Sequence, residues 1–277
     1  MLTADAPLVL LQHGGLDNLS GKTGLAMLRY RRGPIVAVID PAHAGADLQA
    51  ITGIPRAVPV VADMASALAF GPAVAVVGLA PSGGRLPPEM RADVVTALRS
   101  GLSLASGLHS RLADDPEFAA IPLVSGQWIW DLRHEPADLE VASARCAQLP
   151  CRRLLALGSD MAVGKMSACL ELQAAAQRRG LDARFVGTGQ AGILISGQVR
   201  TRPGAAPVAI PSLPELIQAC EALAALGRPD GLRPRVGAIA LNTALLDEQA
   251  AEAEAQRIAA ATGLPVVDPV RQGGERL

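Results

Sequence analysis

Eight consecutive residues in the second half of the chain, Gly158-Ser159-Asp160-Met161-Ala162-Val163-Gly164-Lys165, have the types and order that suit a grip on phosphate. Backbone N–H groups wrap an anion only where no bulky Cβ intrudes, and Gly158 and Gly164 mark the tight points of such a loop. A helix starting directly after it adds the partial positive charge of its N-terminus, and Lys165 adds a point charge able to reach terminal phosphate oxygens. The loop departs from the usual P-loop string twice. Five residues rather than four separate the glycines, and Met166 stands where Ser or Thr ordinarily coordinates Mg²⁺, with Ser167 one place later. Phosphate-binding parts without the first metal ligand suit the holding of a phosphorylated carrier better than the hydrolysis of a nucleotide. The competing reading is a glycine-rich β-to-α turn with no ligand.

Other residues are candidates for recognition. Ser82-Gly83-Gly84-Arg85 follows an apolar run, and adjacent glycines beside an arginine offer backbone donors and a guanidinium fork to a carboxylate. His109, after Ser106-Gly107-Leu108, is a second candidate on the substrate side, and Gln190 lies in the glycine-rich run Gly187-Thr188-Gly189-Gln190-Ala191-Gly192, placed to close over a ligand. Against these stand a plain turn at Gly83-Gly84 and a structural histidine. Asn242, closing an apolar run, presents a donor and an acceptor that match an adenine edge; capping its own turn is the alternative. Lys165 and Asp160 are the candidate catalytic groups, the lysine for an oxyanion and the carboxylate for assisting a base. Near the N-terminus, Gly15, Asp17, Gly21 and Lys22 repeat the spacing of Gly158, Asp160, Gly164 and Lys165, with Thr23 supplying the hydroxyl that Met166 lacks. That loop reads either as a second anion site or as the first turn of a Rossmann-like domain with a surface lysine. Asp40 sits at the distance expected of a ribose-binding acid, although the G-x-G-x-x-G fingerprint is absent.

The elements that position these residues follow from apolar patterning. Continuous apolar runs at 7–11, 34–40, 58–61, 74–78 and 102–105, with a strand-like run at 127–131, alternate with helical spacing at 46–52, 64–70 and 88–100. Repeated βα units imply a parallel, doubly wound sheet with ligand sites at its carboxyl end. In the second half, strands are expected at 153–157, 183–186, 236–241 and 265–267, and helices at 166–176, 211–226 and 247–262. A helix at 135–150 leads to a boundary near Leu149. The expected architecture is therefore α/β, with a Rossmann-like parallel-sheet domain at 1–149 followed by a P-loop NTPase-like α/β domain at 150–277. Residues 196–209 read as a linker where a P-loop domain ordinarily places a further strand and its acid, so that domain is shortened near 197–210.

Composition excludes several classes. A net charge of −1 gives no electrostatic case for nucleic acid, and 2% aromatic residues cannot build a stacking platform for single strands. Cys146, Cys151, Cys169 and Cys220 have no C-x-x-C spacing and no matching histidines, so neither a metal site nor a disulfide framework is indicated and the thiols are read as reduced. No apolar run is long enough for a membrane span, and the N-terminus lacks a signal-peptide pattern, so a cytoplasmic location is expected. The expected partners are a small-molecule substrate and further copies of the chain in a homo-oligomer.

With GSDMAVGKMS, FVGTGQAGILISG and GAIALNTALLDEQ in view, the chain resembles the two-domain P-loop family that includes D-glutamate N-acetyltransferase. LSGKTGLAMLRYRRGPIVAVID, APSGGRLPPEMR, SGLHSRLADDP and GLPVVDPVRQG match its other blocks, so the resemblance covers nearly the whole chain. It implies acetyl transfer from acetyl-CoA, as cosubstrate, to the amine of a D-amino acid, with the coenzyme diphosphate on the loop Gly158–Ser167 and the acceptor carboxylate near Arg85. The loop is also similar to that of dethiobiotin synthetase, whose adenine-contacting Asn corresponds to Asn242. An ATP- and Mg²⁺-dependent carboxylase or ligase is thus the alternative, and Met166 speaks against it. One departure stands out. Family members carry a further segment, with an E-G-Q-G-S-L block and a histidine, between the GILISG block and the proline-led helix. Here Gly197-Gln198 runs almost directly into Pro207–Leu213, which opens a third reading, a ligand-binding protein without turnover.

Overall fold

The structure, a computed structural model, describes residues 2–134, 151–158, 163–187, 189–196, 212–225 and 233–276. The helix expected at 135–150 and the linker at 197–210 lie outside these residues. The described residues belong to two compact units, one drawn from Met1–Ser143 and Val186–Arg202, the other from Ala144–Phe185 and Pro203–Leu277.

In the first unit, the runs LVLL, IVAVI and VAVV are apolar on both sides of the chain, which suits strands covered on both faces of a parallel sheet. They form β1 (Leu8–Leu11), β2 (Ile35–Ile39) and β4 (Val74–Val77), joined by β3 (Val60–Val61), β5 (Ser103–Ser106) and β6 (Ile129–Asp131). The six strands are parallel and ordered β3-β2-β1-β4-β5-β6, so the strand order reverses between β1 and β4. Side chains alternate between two buried layers. Val9, Leu11, Ile39, Val77 and Leu104 pack with Met64, Met90, Val94 and Phe118 on one face. On the other face, Leu8, Leu10, Val38 and Val76 pack with Met27 and Leu28 of α1 (Lys22–Tyr30). The first face is covered by α3 (Met64–Leu68), α4 (Arg91–Arg99) and α5 (Pro116–Ala119), and α2 (Leu48–Thr52) contributes Leu48 to the second.

Helix starts follow their caps. Asp47 and Asp63 each accept a backbone N–H of the helix they open, and Asp115 does the same ahead of Pro116. The Asp115 carboxyl is held below its ordinary range, first by its hydrogen bonds from the Arg91 guanidinium. Arg91 in turn lies 4.7 Å over the Phe118 ring.

The second unit contains α6 (Lys165–Arg178), α8 (Leu213–Ala225), α9 (Glu248–Thr262) and α10 (Pro269–Gln272). Its strands among the described residues are β7 (Ile239–Ala240) and β8 (Val266–Val267), a parallel pair. The strands expected at 153–157 and 183–186 are not formed. Leu154, Leu155 and Leu157 are 69%, 76% and 52% exposed, and Val186 is 62% exposed. A strand pattern becomes a strand only when a neighbour takes up its N–H and C=O groups, and these runs have none among the described residues. The short helix α7 (Gln190–Ser196) belongs to the first unit: Ile193 and Leu194, each 1% exposed, enter the layer of Met27 and Leu28.

Candidate functional site

The glycine-bounded loop before α6 ends as its residue types require. Gly164 adopts φ +100, a left-handed conformation that strains any residue with a Cβ, and serves as N-cap of α6 without a side-chain cap. Ala168 N–H donates to the Gly164 carbonyl at 3.0 Å, and Met166 and Ser167 belong to the first turn, whose N–H groups have no acceptor within a helix. The Lys165 side chain folds back toward the loop's first glycine: a Cβ on Gly158 would stand 3.0 Å from Lys165 Cδ and 3.1 Å from Nζ. Gly158, Val163, Gly164, Lys165, Met166 and Ser167 are thereby placed around one loop, while Ser159, Asp160, Met161 and Ala162 lie outside the described residues.

Asn242 stands beside this loop. A Cβ on Gly164 would lie 3.8 Å from Asn242 Cβ and 3.9 Å from Nδ2. Asn242 Oδ1 accepts Ala244 N–H at 3.1 Å, so the oxygen caps the turn while the amide nitrogen stays close to the loop. Its neighbour Thr243 is 2% exposed and donates both its N–H and its hydroxyl to Asp268 Oδ2. Asp268 Oδ1 accepts the N–H groups of Val270 and Arg271, and Arg271 Nη2 donates to the carbonyls of Thr243 and Leu246. Burial alone pushes the Asp268 carboxyl up, but the Thr243 hydroxyl and the surrounding amides outweigh it and hold the carboxyl below its ordinary range. Asp268 thus ties the carboxyl ends of β7 and β8 together directly after Asn242. Sequence reading missed it because an Asp before a proline is indistinguishable from an ordinary helix cap.

A second cluster lies at the carboxyl rim of the first unit's sheet. Gly83 and Gly84 both take left-handed conformations, φ +78 and +63, in the turn after β4. Gly84 is backed by His109: a Cβ there would lie 2.1 Å from His109 Cδ2. The Gly84 carbonyl receives the N–H groups of His109 at 2.8 Å and Ser110 at 3.2 Å. Ser82, Arg85 and His109 are exposed on this rim. Gln190 packs against Gly107, two residues before His109, and its Oε1 accepts Arg133 Nη2 at 2.9 Å. The rim therefore brings Gly84 against His109 and Gly107 against Gln190, with Ser82, Gly83 and Arg85 exposed beside Gly84 in the same turn.

In the N-terminal loop, a Cβ on Gly21 would lie 1.8 Å from the Gly15 carbonyl oxygen, so the two glycines close on each other. Asp40, proposed from spacing as a ribose acid, is fully buried, with its oxygens taken by Gly14 N–H, Ala42 N–H and the His43 ring. Sequence reading also missed the pairing of His13 Nε2 with Asp93 Oδ2 at 2.9 Å, between residues 80 apart. Among the described residues, no group of three or more His, Cys, Asp or Glu is arranged to hold a metal, and no helix is long and apolar enough to cross a membrane.

Two family models match the chain. A Rossmann-like domain, DUF1611_N, matches residues 41–135, and a P-loop domain, DUF1611_C, matches residues 140–205 and 198–277. The chain belongs to the DUF1611 family. A crystal structure of a DUF1611 family protein from Anabaena variabilis ATCC 29413 is 39% identical and superposes with a TM-score of 0.89 over 98% of each chain. Among curated proteins, a D-glutamate N-acetyltransferase of Tritonibacter scottomollicae is 33% identical over 193 residues, 70% of this chain and 55% of its own length. One from Pseudoalteromonas sp. is 34% identical over 122 residues, 44% of this chain and 36% of its own. The chain thus spans about half or less of the curated relatives it matches. The Rossmann-like and P-loop domain models agree with the α/β architecture read from the sequence.

Proposed function

We propose that this DUF1611 protein binds acetyl-CoA and passes its acetyl group to the amine of a D-amino acid, with D-glutamate the first candidate. The observation that carries this reading is the Gly164–Lys165 helix start, with Lys165 folded over Gly158, in a chain whose named relatives are D-glutamate N-acetyltransferases. The described end of the loop fits a diphosphate: glycine at the left-handed turn, the first-turn amides of Met166 and Ser167, and a lysine folded toward Gly158. Met166 removes the hydroxyl that would bind Mg²⁺, and acyl transfer has no use for it.

On this reading Gly158, Gly164, Lys165, Met166 and Ser167 hold the coenzyme phosphates, and Asn242 meets the adenine through its amide. Ser82, Gly83, Gly84 and Arg85 receive the acceptor carboxylate at the rim that His109 shares. The acceptor must lose an ammonium proton before its nitrogen lone pair attacks the thioester carbonyl, with Asp160 assisting that transfer. Negative charge then gathers on the carbonyl oxygen, where Lys165 and loop amides stabilise it; as the carbonyl re-forms, the C–S bond breaks, and the thiolate takes up the second proton that the attacking nitrogen gives up.

One observation favours a second reading. The P-loop family model matches in two pieces that meet at 198–205, where the sequence suggests a lost segment, which agrees with a protein that binds coenzyme without turnover. Incubation with acetyl-CoA and D-glutamate separates the two. Release of free thiol with equimolar N-acetyl product, insensitive to Mg²⁺, is expected from the transferase; bound coenzyme with no thiol above background supports the second reading.

A further inference from the structure

The rim that this reading assigns to the acceptor is not built by the first 134 residues alone. Helix α7, which follows the phosphate-loop helix in sequence, seats in the first unit through Ile193 and Leu194. Its first residue reaches the rim. Gly107 has no Cβ, and the space one would take is filled by Gln190, whose Cβ and Cγ would lie 2.6 and 2.7 Å from it. Arg133, just past β6, donates through Nε to the Gly107 carbonyl at 2.7 Å and through Nη2 to Gln190 Oε1 at 2.9 Å. One guanidinium therefore fastens α7 and the backbone after β5 to each other.

That backbone carries the recognition residues. Two residues beyond Gly107, His109 lies against Gly84, and the amides of His109 and Ser110 donate to the Gly84 carbonyl. The Leu108 amide donates to Ser106 Oγ at 3.2 Å. A planar guanidinium holds two acceptors in fixed directions, so it sets an angle as well as a distance, which a flexible ammonium does not.

The geometry points to Arg133 and Gln190 as positioning residues: together they hold the 107–110 turn, and through it His109 and Gly84, in the arrangement that receives the acceptor carboxylate. The role of the rim rests on the proposed function; the lock itself does not. Neither residue touches the reacting atoms. A consequence is that acceptor recognition depends on a segment supplied from the half of the sequence that carries the phosphate loop.

Two readouts on the full chain test this. In hydrogen–deuterium exchange, Gln190→Ala is expected to speed exchange of peptides spanning 107–110 more than the rest of the first unit. Gln190→Glu keeps an oxygen for Arg133 and is expected to restore most of the protection. Gln190→Ala is also expected to raise KM for the amino acid, by up to about tenfold if the whole loss of one charge-assisted hydrogen bond is felt at the rim, with KM for acetyl-CoA unchanged. Uniformly faster exchange across the unit, or unchanged exchange at 107–110, would overturn the inference. A wild-type protein without transferase activity would sink the proposed function, and the exchange contrast would still decide whether the lock exists.

Discussion

Replacing Asp268 with alanine is expected to destabilise the second unit by about 1.5–3 kcal/mol, the range for hydrogen bonds to a charged group. The carboxylate is 8% exposed and is the acceptor for four donors: Thr243 N–H, Thr243 hydroxyl, Val270 N–H and Arg271 N–H. Each donor left buried without an acceptor costs about 1–3 kcal/mol, moderated here because the amides of α10 can reach water. Chemical denaturation followed by circular dichroism reads the loss. The pH dependence has a definite sign. The folded carboxyl titrates below its ordinary value, near 3.9 for an unperturbed Asp, so its contribution is present above that value and is lost as pH falls through the lower folded value. Wild type is therefore expected to lose stability below about pH 4 more steeply than Asp268→Asn.

The second large effect is on binding. Lys165→Ala is expected to weaken coenzyme A about 10- to 100-fold, the range for one hydrogen bond to a charged group. The fold should survive, because Lys165 opens α6 at a half-buried position and α6 is anchored further along by Ala168, Leu170 and Ala175. Titration calorimetry of coenzyme A into both proteins, with melting temperatures measured beside it, separates lost affinity from lost structure. Equal affinity in the two proteins would place the diphosphate elsewhere.

Much of the first unit is legible in the sequence because its strands are apolar on both faces. Leu8–Leu11, Ile35–Ile39 and Val74–Val77 have no polar face to place in water, which leaves the middle of a covered parallel sheet as their one stable position. The rim after β4 and β5 is legible for a related reason: adjacent glycines that turn left-handed stand out wherever they occur, and Gly83-Gly84 does so here. The runs at 153–157 and 183–186 mislead because strand pattern is local and strand pairing is not. Leu154 and Leu155 have the residues of a buried strand and lie exposed without a neighbour among the described residues.

Long-range pairs escape sequence reading altogether. The glycine neighbours of Gln190 suggest a loop over the ligand, and nothing nearby indicates that Arg133, 57 residues earlier, binds its side-chain oxygen. The same holds for α7, whose Ile193 and Leu194 follow the phosphate-loop helix in sequence and pack with Met27 and Leu28 in space. Glycines at 15 and 21 repeat the spacing of 158 and 164, but spacing does not show that the first pair touch each other while Gly158 lies beneath a lysine.

The most direct test of a diphosphate held by main-chain amides and Lys165, with no metal-bound hydroxyl, is the affinity for coenzyme A in the presence of a chelator. The expected result is the same dissociation constant in EDTA as in millimolar Mg²⁺, with no competition from ADP that depends on the metal. Binding that appears only when Mg²⁺ is added would contradict it, because Met166 offers the ion no ligand where a P-loop hydroxyl would stand.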